Sequence, residues 1–112
     1  MINNMKKTFF GAAIITLSNT VLAHYPILDC HYSKTPNEAH EQVTCEASFS
    51  DRSKAPNVVI EIVSEDDEIL VKGLTNATAK YQFSRPDGSF FIIMDAGPGH
   101  VLEISDEEVN ES

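Results

Sequence analysis

Between Gln42 and Phe49 the chain reads QVTCEASF, with Val43, Cys45, Ala47 and Phe49 at every second position. A period of two belongs to a half-buried β-strand, whose successive side chains point to opposite faces. Asn57 to Val63 (NVVIEIV) repeats the pattern, with Val58, Ile60 and Ile62 on one face and Val59, Glu61 and Val63 on the other. Further strands are expected at Ile69–Leu74, at Lys80–Ser84 with Tyr81 and Phe83 on one face, and at His100–Ile104. Phe90 to Met94 (FFIIM) is a continuous apolar run, which predicts a central strand buried on both faces. Another short strand is expected around Ile27 to Tyr32, within a His24–His40 stretch that is otherwise irregular.

Between these runs lie turn signals. Ser64 to Glu68 is a charged turn and Thr75 to Ala79 a polar one. Pro86-Asp87-Gly88 combines a preset φ with a residue that accepts positive φ, and Ala96-Gly97-Pro98-Gly99 is a further turn. The acidic segment Asp106 to Ser112 is expected to fray. No helix-period segment follows residue 23. Six or seven short strands with a turn every eight to twelve residues, roughly, predict an all-β fold, a small antiparallel β-sandwich of Ig-like or transthyretin-like kind.

The first 23 residues read differently. Lys6 and Lys7 precede the apolar run Phe9–Leu17, and Val21-Leu22-Ala23 offers small residues for cleavage. This is the signature of a secretory signal peptide cut between Ala23 and His24. The organisation is then a signal peptide at 1–23, a sandwich domain at 24–105 and an acidic tail at 106–112. The short Lys-Lys start points to a bacterial periplasm. No other run approaches the length of a membrane span, so the processed protein is expected not to cross one.

Composition adds a second constraint. The chain carries 17 acids against 8 Lys and Arg, a formal charge of −9. Processing makes it more negative, because Lys6 and Lys7 leave with the signal and every acid stays. Such a surface excludes nucleic acid as a partner, which requires a basic face. Two cysteines, Cys30 and Cys45, in an exported chain predict one disulfide. A thiolate metal site with the adjacent His31 and nearby His40 is the alternative.

No catalytic constellation is present: there is no nucleophile elbow, no glycine-rich phosphate loop and no HExxH. The acidic turn Glu65–Glu68 lacks the glycine and distal glutamate of an EF-hand. Tyr81, Phe83, Phe90 and Phe91 are expected in the core. The bacterial-type signal makes the sequon Asn76-Ala77-Thr78 a chance match.

The histidines carry the chemical signal. As a mature N-terminus, His24 would offer an α-amine and an imidazole, a two-nitrogen chelate for nickel, cobalt, copper or zinc. Pro26 at the third position has no amide proton, so a chelate that recruits that amide is excluded. The brace needs a third ligand. His100, held by the tight turn after Asp95, is the leading candidate, and His31 or Asp95 is the candidate to complete the set.

The same residues carry a resemblance. Ala23-His24, Ala47-Ser48-Phe49-Ser50, Val58–Val63, Leu70–Thr75, Tyr81-Gln82-Phe83 with Pro86, and Asp95-Ala96-Gly97-Pro98-Gly99-His100 occur in this order. The chain resembles the small extracytoplasmic proteins associated with nickel and cobalt uptake transporters. Those proteins pair a mature N-terminal histidine with a late DAG-x-GH turn around a carboxypeptidase-regulatory-like sandwich. The resemblance implies that His24 and His100 meet at one metal ion, and that the protein assists a membrane metal transporter without being an enzyme. Two other functions fit the same chain: a metal-free interaction module of the cell envelope, and an oxidative copper enzyme built on the same brace.

Overall fold

The computed structural model describes residues 24 to 111, so the signal peptide expected at 1–23 and its expected cleavage after Ala23 lie outside the described residues. Seven strands follow in order: β1 (Pro26–Ser33), β2 (Gln42–Phe49), β3 (Val59–Ser64), β4 (Ile69–Leu74), β5 (Lys80–Ser84), β6 (Phe90–Asp95) and β7 (Val101–Ser105). A 3-10 turn at Asp106–Glu108 ends the series. The strands form two sheets, one ordered β1-β2-β5 and the other β4-β3-β6-β7. The pairings between these seven strands are antiparallel. The fold is all-β, as the alternation predicts. No helix among the described residues is long and apolar enough to cross a membrane.

One face of each sheet supplies the core. Cys30, Tyr32, Val43, Cys45, Ala47 and Phe83 come from the three-stranded sheet, and Ile60, Ile62, Phe90, Ile92, Met94 and Ile104 from the other. The Phe83 and Phe90 rings meet edge to face at 6.1 Å, linking β5 to β6. Gly73 on β4 lies directly beneath the Tyr81 ring of β5, where a Cβ would collide with the ring atoms. That close approach is why the edge strand carries a glycine at this position.

The continuous run in β6 behaves otherwise than its composition predicts. Phe90, Ile92 and Met94 are fully buried, whereas Phe91 and Ile93 are half-buried. With two sheets and no covering helix among the described residues, each strand has one inner face, so even a central strand between β3 and β7 alternates. In β3 the register shifts between Ile62 and Val63. This irregularity lets Val63 be buried beside Ile62 and breaks the alternation read from the sequence.

The turns have local causes. In the charged turn the Ser64 hydroxyl accepts from the Asp66 and Glu68 amides, with Asp67 at φ 63°. In the polar turn Asn76 Oδ1 accepts from the Thr78 and Lys80 amides. Such side-chain acceptors replace ladder partners where the chain reverses.

Asp106 to Asn110 are held in place rather than frayed. The Ser105 amide donates to the Glu108 carboxylate in a capping box, Val109 joins the core cluster, and Asn110 pairs with β1. Tyr32 donates its amide to the Asn110 carbonyl at 2.9 Å, and Asn110 donates to the Cys30 carbonyl at 2.9 Å. The acidity of the segment masked its single buried apolar residue.

Candidate metal centre

Cys30 and Cys45 are register partners across β1 and β2 and form a disulfide. Both are buried, so neither sulfur is a thiolate ligand, and the alternative site with His31 and His40 does not form. His31 is exposed on β1 opposite Thr44. His24 precedes the strand at the end where Pro26 faces Phe49. At about 3.3 Å per residue the two histidines stand roughly 20 Å apart along the chain, so the structure does not bring His31 to His24.

His24 and His100 do come together. With Phe49 and Ala96 they line one pocket of about 220 Å³ at the end of the two sheets where β1 begins, β2 and β6 end, and β7 begins. Two local devices place them. On the His24 side, the Ser50 amide donates to the Tyr25 carbonyl at 3.0 Å and the Tyr25 amide to the Ser50 hydroxyl at 3.1 Å. This reciprocal clamp fastens the chain ahead of β1 to the end of β2. On the His100 side, the turn from Asp95 closes on itself. Asp95 Oδ1 accepts from the Gly97 amide at 2.9 Å, Ala96 donates to the His100 carbonyl, and His100 donates to the Gly97 carbonyl. Gly97 and Gly99 take positive φ of 109° and 80°, which explains why both are glycine.

Each ring has a defined neighbour. The His100 Nδ1 lies 3.2 Å from the Pro98 carbonyl, and a protonated Nδ1 donating there leaves Nε2 with its lone pair free. The Phe49 ring meets the His100 ring edge-on at 6.1 Å. His24 Nδ1 lies 3.7 Å from Asp51 Oδ2. Asp51 is a residue that sequence reading missed, since nothing in its spacing connects it to residue 24. Hydrogen bonds from the Ser53 hydroxyl and amide hold the Asp51 carboxyl below the usual carboxylate range. The pair is exposed, with His24 at 52% and Asp51 at 42% of their side-chain surface, so their attraction adds little to stability.

Asp95 is accounted for by its turn: one carboxylate oxygen is taken by the Gly97 amide. Among the described residues, no group of three or more His, Cys, Asp or Glu side chains is arranged to hold a metal ion. The two histidine side chains therefore fit a metal only with a nitrogen that is not a side chain, the α-amine that cleavage before His24 would create. A larger open cavity of about 510 Å³, lined by His40, Leu70, Arg85 and Asp87 among others, brings together no comparable donor set.

Fold and pocket together define a small, disulfide-bonded all-β protein with a paired-histidine end. The chain matches no family model, no curated protein and no solved structure.

Proposed function

We propose that this chain is a periplasmic protein, exported by its signal peptide, that binds one divalent transition-metal ion, nickel, cobalt, copper or zinc, and acts as an accessory to metal uptake. Its two sheets would form a sandwich of the carboxypeptidase-regulatory-like, Ig-like or transthyretin-like kind. The observation that carries the reading is the shared pocket of His24 and His100, residues 76 positions apart in sequence. The His24 imidazole and α-amine and the His100 Nε2 would supply three nitrogens, a set suited to nickel and copper and tolerated by zinc. A disulfide in place of free thiols supports an oxidising compartment. The link to a transporter rests on the resemblance of Ala23-His24 and the DAGPGH turn.

The deciding experiment is native mass spectrometry of protein processed to begin at His24, titrated with Cu(II), Ni(II), Co(II) and Zn(II). One retained ion per chain is expected, with affinity falling roughly tenfold or more for His100→Ala and for a protein with one extra residue ahead of His24. Weak, multiple adducts that neither change affects would overturn the reading. The interaction-module alternative would then gain weight from β4, an edge strand with Ile69, Leu70 and Leu74 exposed.

A further inference from the structure

In a two-sheet fold each sheet turns one face to the core and the other to water, and the outer face is ordinarily polar. The three-stranded sheet obeys this. Its register sets Asp29, Glu46 and Lys80 in one outer row and His31, Thr44 and Gln82 in the next. The outer face of β4-β3-β6-β7 does not. Its middle row reads Lys72, Glu61, Ile93 and Glu103 from β4 to β7. Leu74, Val59 and Val101 lie on one side of that row, and Ile69, Val63 and Phe91 on the other. Asp95 and Ser105 complete the two flanking rows, with Asp95 bonded to the Gly97 amide. None of the apolar residues on this face belongs to the core cluster between the sheets. Ile69, Leu74 and Val101 are 54%, 55% and 58% exposed. The continuous run FFIIM therefore supplies two apolar surfaces, and the second has no cover among the described residues. A contiguous apolar face of this kind marks an interaction site.

We propose that this face packs against the same face of a second copy of the chain, forming a two-fold dimer. The charges of the middle row select that occupant. Read from β4 to β7 they run positive, negative, apolar, negative. A two-fold axis lying between the faces, parallel to the strands and midway between β3 and β6, sets one copy's row over the reverse of the other's. Each Lys72 then stands over Glu103 of the second copy, and each Glu61 over Ile93. Within one chain Lys72 meets Glu61 at 3.3 Å but keeps 60% of its side chain exposed, and Glu103 is exposed with no ion-pair partner among the described residues. Facing sheets pack about 10 Å apart, a gap that a lysine and a glutamate side chain span together. The flanking rows meet as Leu74 against Val101 and Val63 against Phe91. Four strands and three outward rows make a face of roughly 20 by 20 Å. Two such faces bury on the order of 1,000 Å², the small end of specific interfaces, so the dimer is weak and concentration-dependent. The His24–His100 pocket shares no residue with this face, and the proposal does not depend on metal binding.

The test is sedimentation equilibrium of protein beginning at His24, with a chelator present so that no metal bridges two copies. A monomer–dimer equilibrium is expected, with a dissociation constant on the order of tens of micromolar. Lys72→Glu and Glu103→Lys should each weaken it roughly tenfold, by setting like charges face to face. The double variant should return to within about threefold of the unaltered protein. Lys80→Glu, on the polar face of the other sheet, should change nothing. Glu103→Lys makes the chain less acidic, so weaker association in that variant cannot arise from net charge. Lys72 and Glu103 are exposed, and urea unfolding confirms that each variant is folded. A single-chain mass up to about 1 mM would overturn the proposal. A dimer indifferent to both single changes would overturn it too, because another surface would then hold the copies together. Loss in both single variants without recovery in the double variant would overturn the Lys72–Glu103 pairing and with it the two-fold arrangement.

Discussion

Thr75 shows how much a single side chain carries in a chain this short. It is 1% exposed, and its hydroxyl donates to the Ala55 carbonyl at 2.7 Å while accepting from the Val58 amide at 2.9 Å. The two bonds tie the start of β3 to the end of β4. Thr75→Val keeps the shape but leaves both backbone groups without that partner, and is expected to cost about 1–3 kcal/mol in denaturant unfolding. Tyr32 makes a different prediction. It is 2% exposed, its hydroxyl reaches the Asp106 carbonyl, and the Arg85 guanidinium lies 4.2 Å over its ring. Burial pushes the phenol above its ordinary value, and Arg85 pulls it partly back. A phenol whose folded pKa is raised keeps its proton after the unfolded chain has lost it. Its contribution is therefore complete below about pH 10 and falls as the pH rises further. Unfolding midpoints measured from about pH 9 to 11 should decline less steeply in Tyr32→Phe than in the unaltered protein. Neither residue announces itself in the sequence, because a hydroxyl is equally at home on a surface and only the packing decides.

At the scale of elements, the strands were legible and their burial was less so. The alternation in QVTCEASF marks β2 and its inner face, with Val43, Cys45 and Ala47 all buried. It works there because β2 lies between β1 and β5, with one inner face and one outer face. FFIIM misled because composition cannot distinguish a strand covered on both sides from one whose outer face carries half-exposed Phe91 and Ile93. The cysteine count pointed to the disulfide, and the β1–β2 register shows why it forms: Cys30 and Cys45 are direct partners on the buried face. The bridge closes a loop with a sequence separation of 15, over the irregular segment between the two strands. On the chain-entropy view this contributes about 3 kcal/mol. Unfolding by urea with and without a reductant should differ by that order, and an unchanged midpoint on complete reduction would show that the two strands hold their register without it.

At the scale of the whole molecule, the two ends of the sheets do different work, and the sequence revealed only one of them. His24 and His100 could be paired from the sequence because each sits at a marked place, one at the expected cleavage point and the other after a Gly-Pro-Gly turn. Asp51 could not, since its relation to His24 depends on the Tyr25–Ser50 clamp, a contact between segments 25 residues apart. Elsewhere, Val109 and Asn110 fasten the end of the chain to β1, an outer strand of the three-stranded sheet, whose Cys30 and Tyr32 backbone groups would otherwise lack those bonds. Removing residues 109–112 exposes that part of the strand and strips one buried valine from the core. A loss of about 2–4 kcal/mol is expected, from one buried side chain and two backbone hydrogen bonds. The His24–His100 pocket lies where β1 begins, beyond the Tyr25–Ser50 clamp, and shares no residue with the tail. The truncated protein should therefore unfold at lower denaturant yet, while folded, bind Cu(II) with unchanged affinity. A parallel loss of metal affinity in the folded truncation would mean that β1 transmits disorder from the tail to His24, and that the two ends are one cooperative unit.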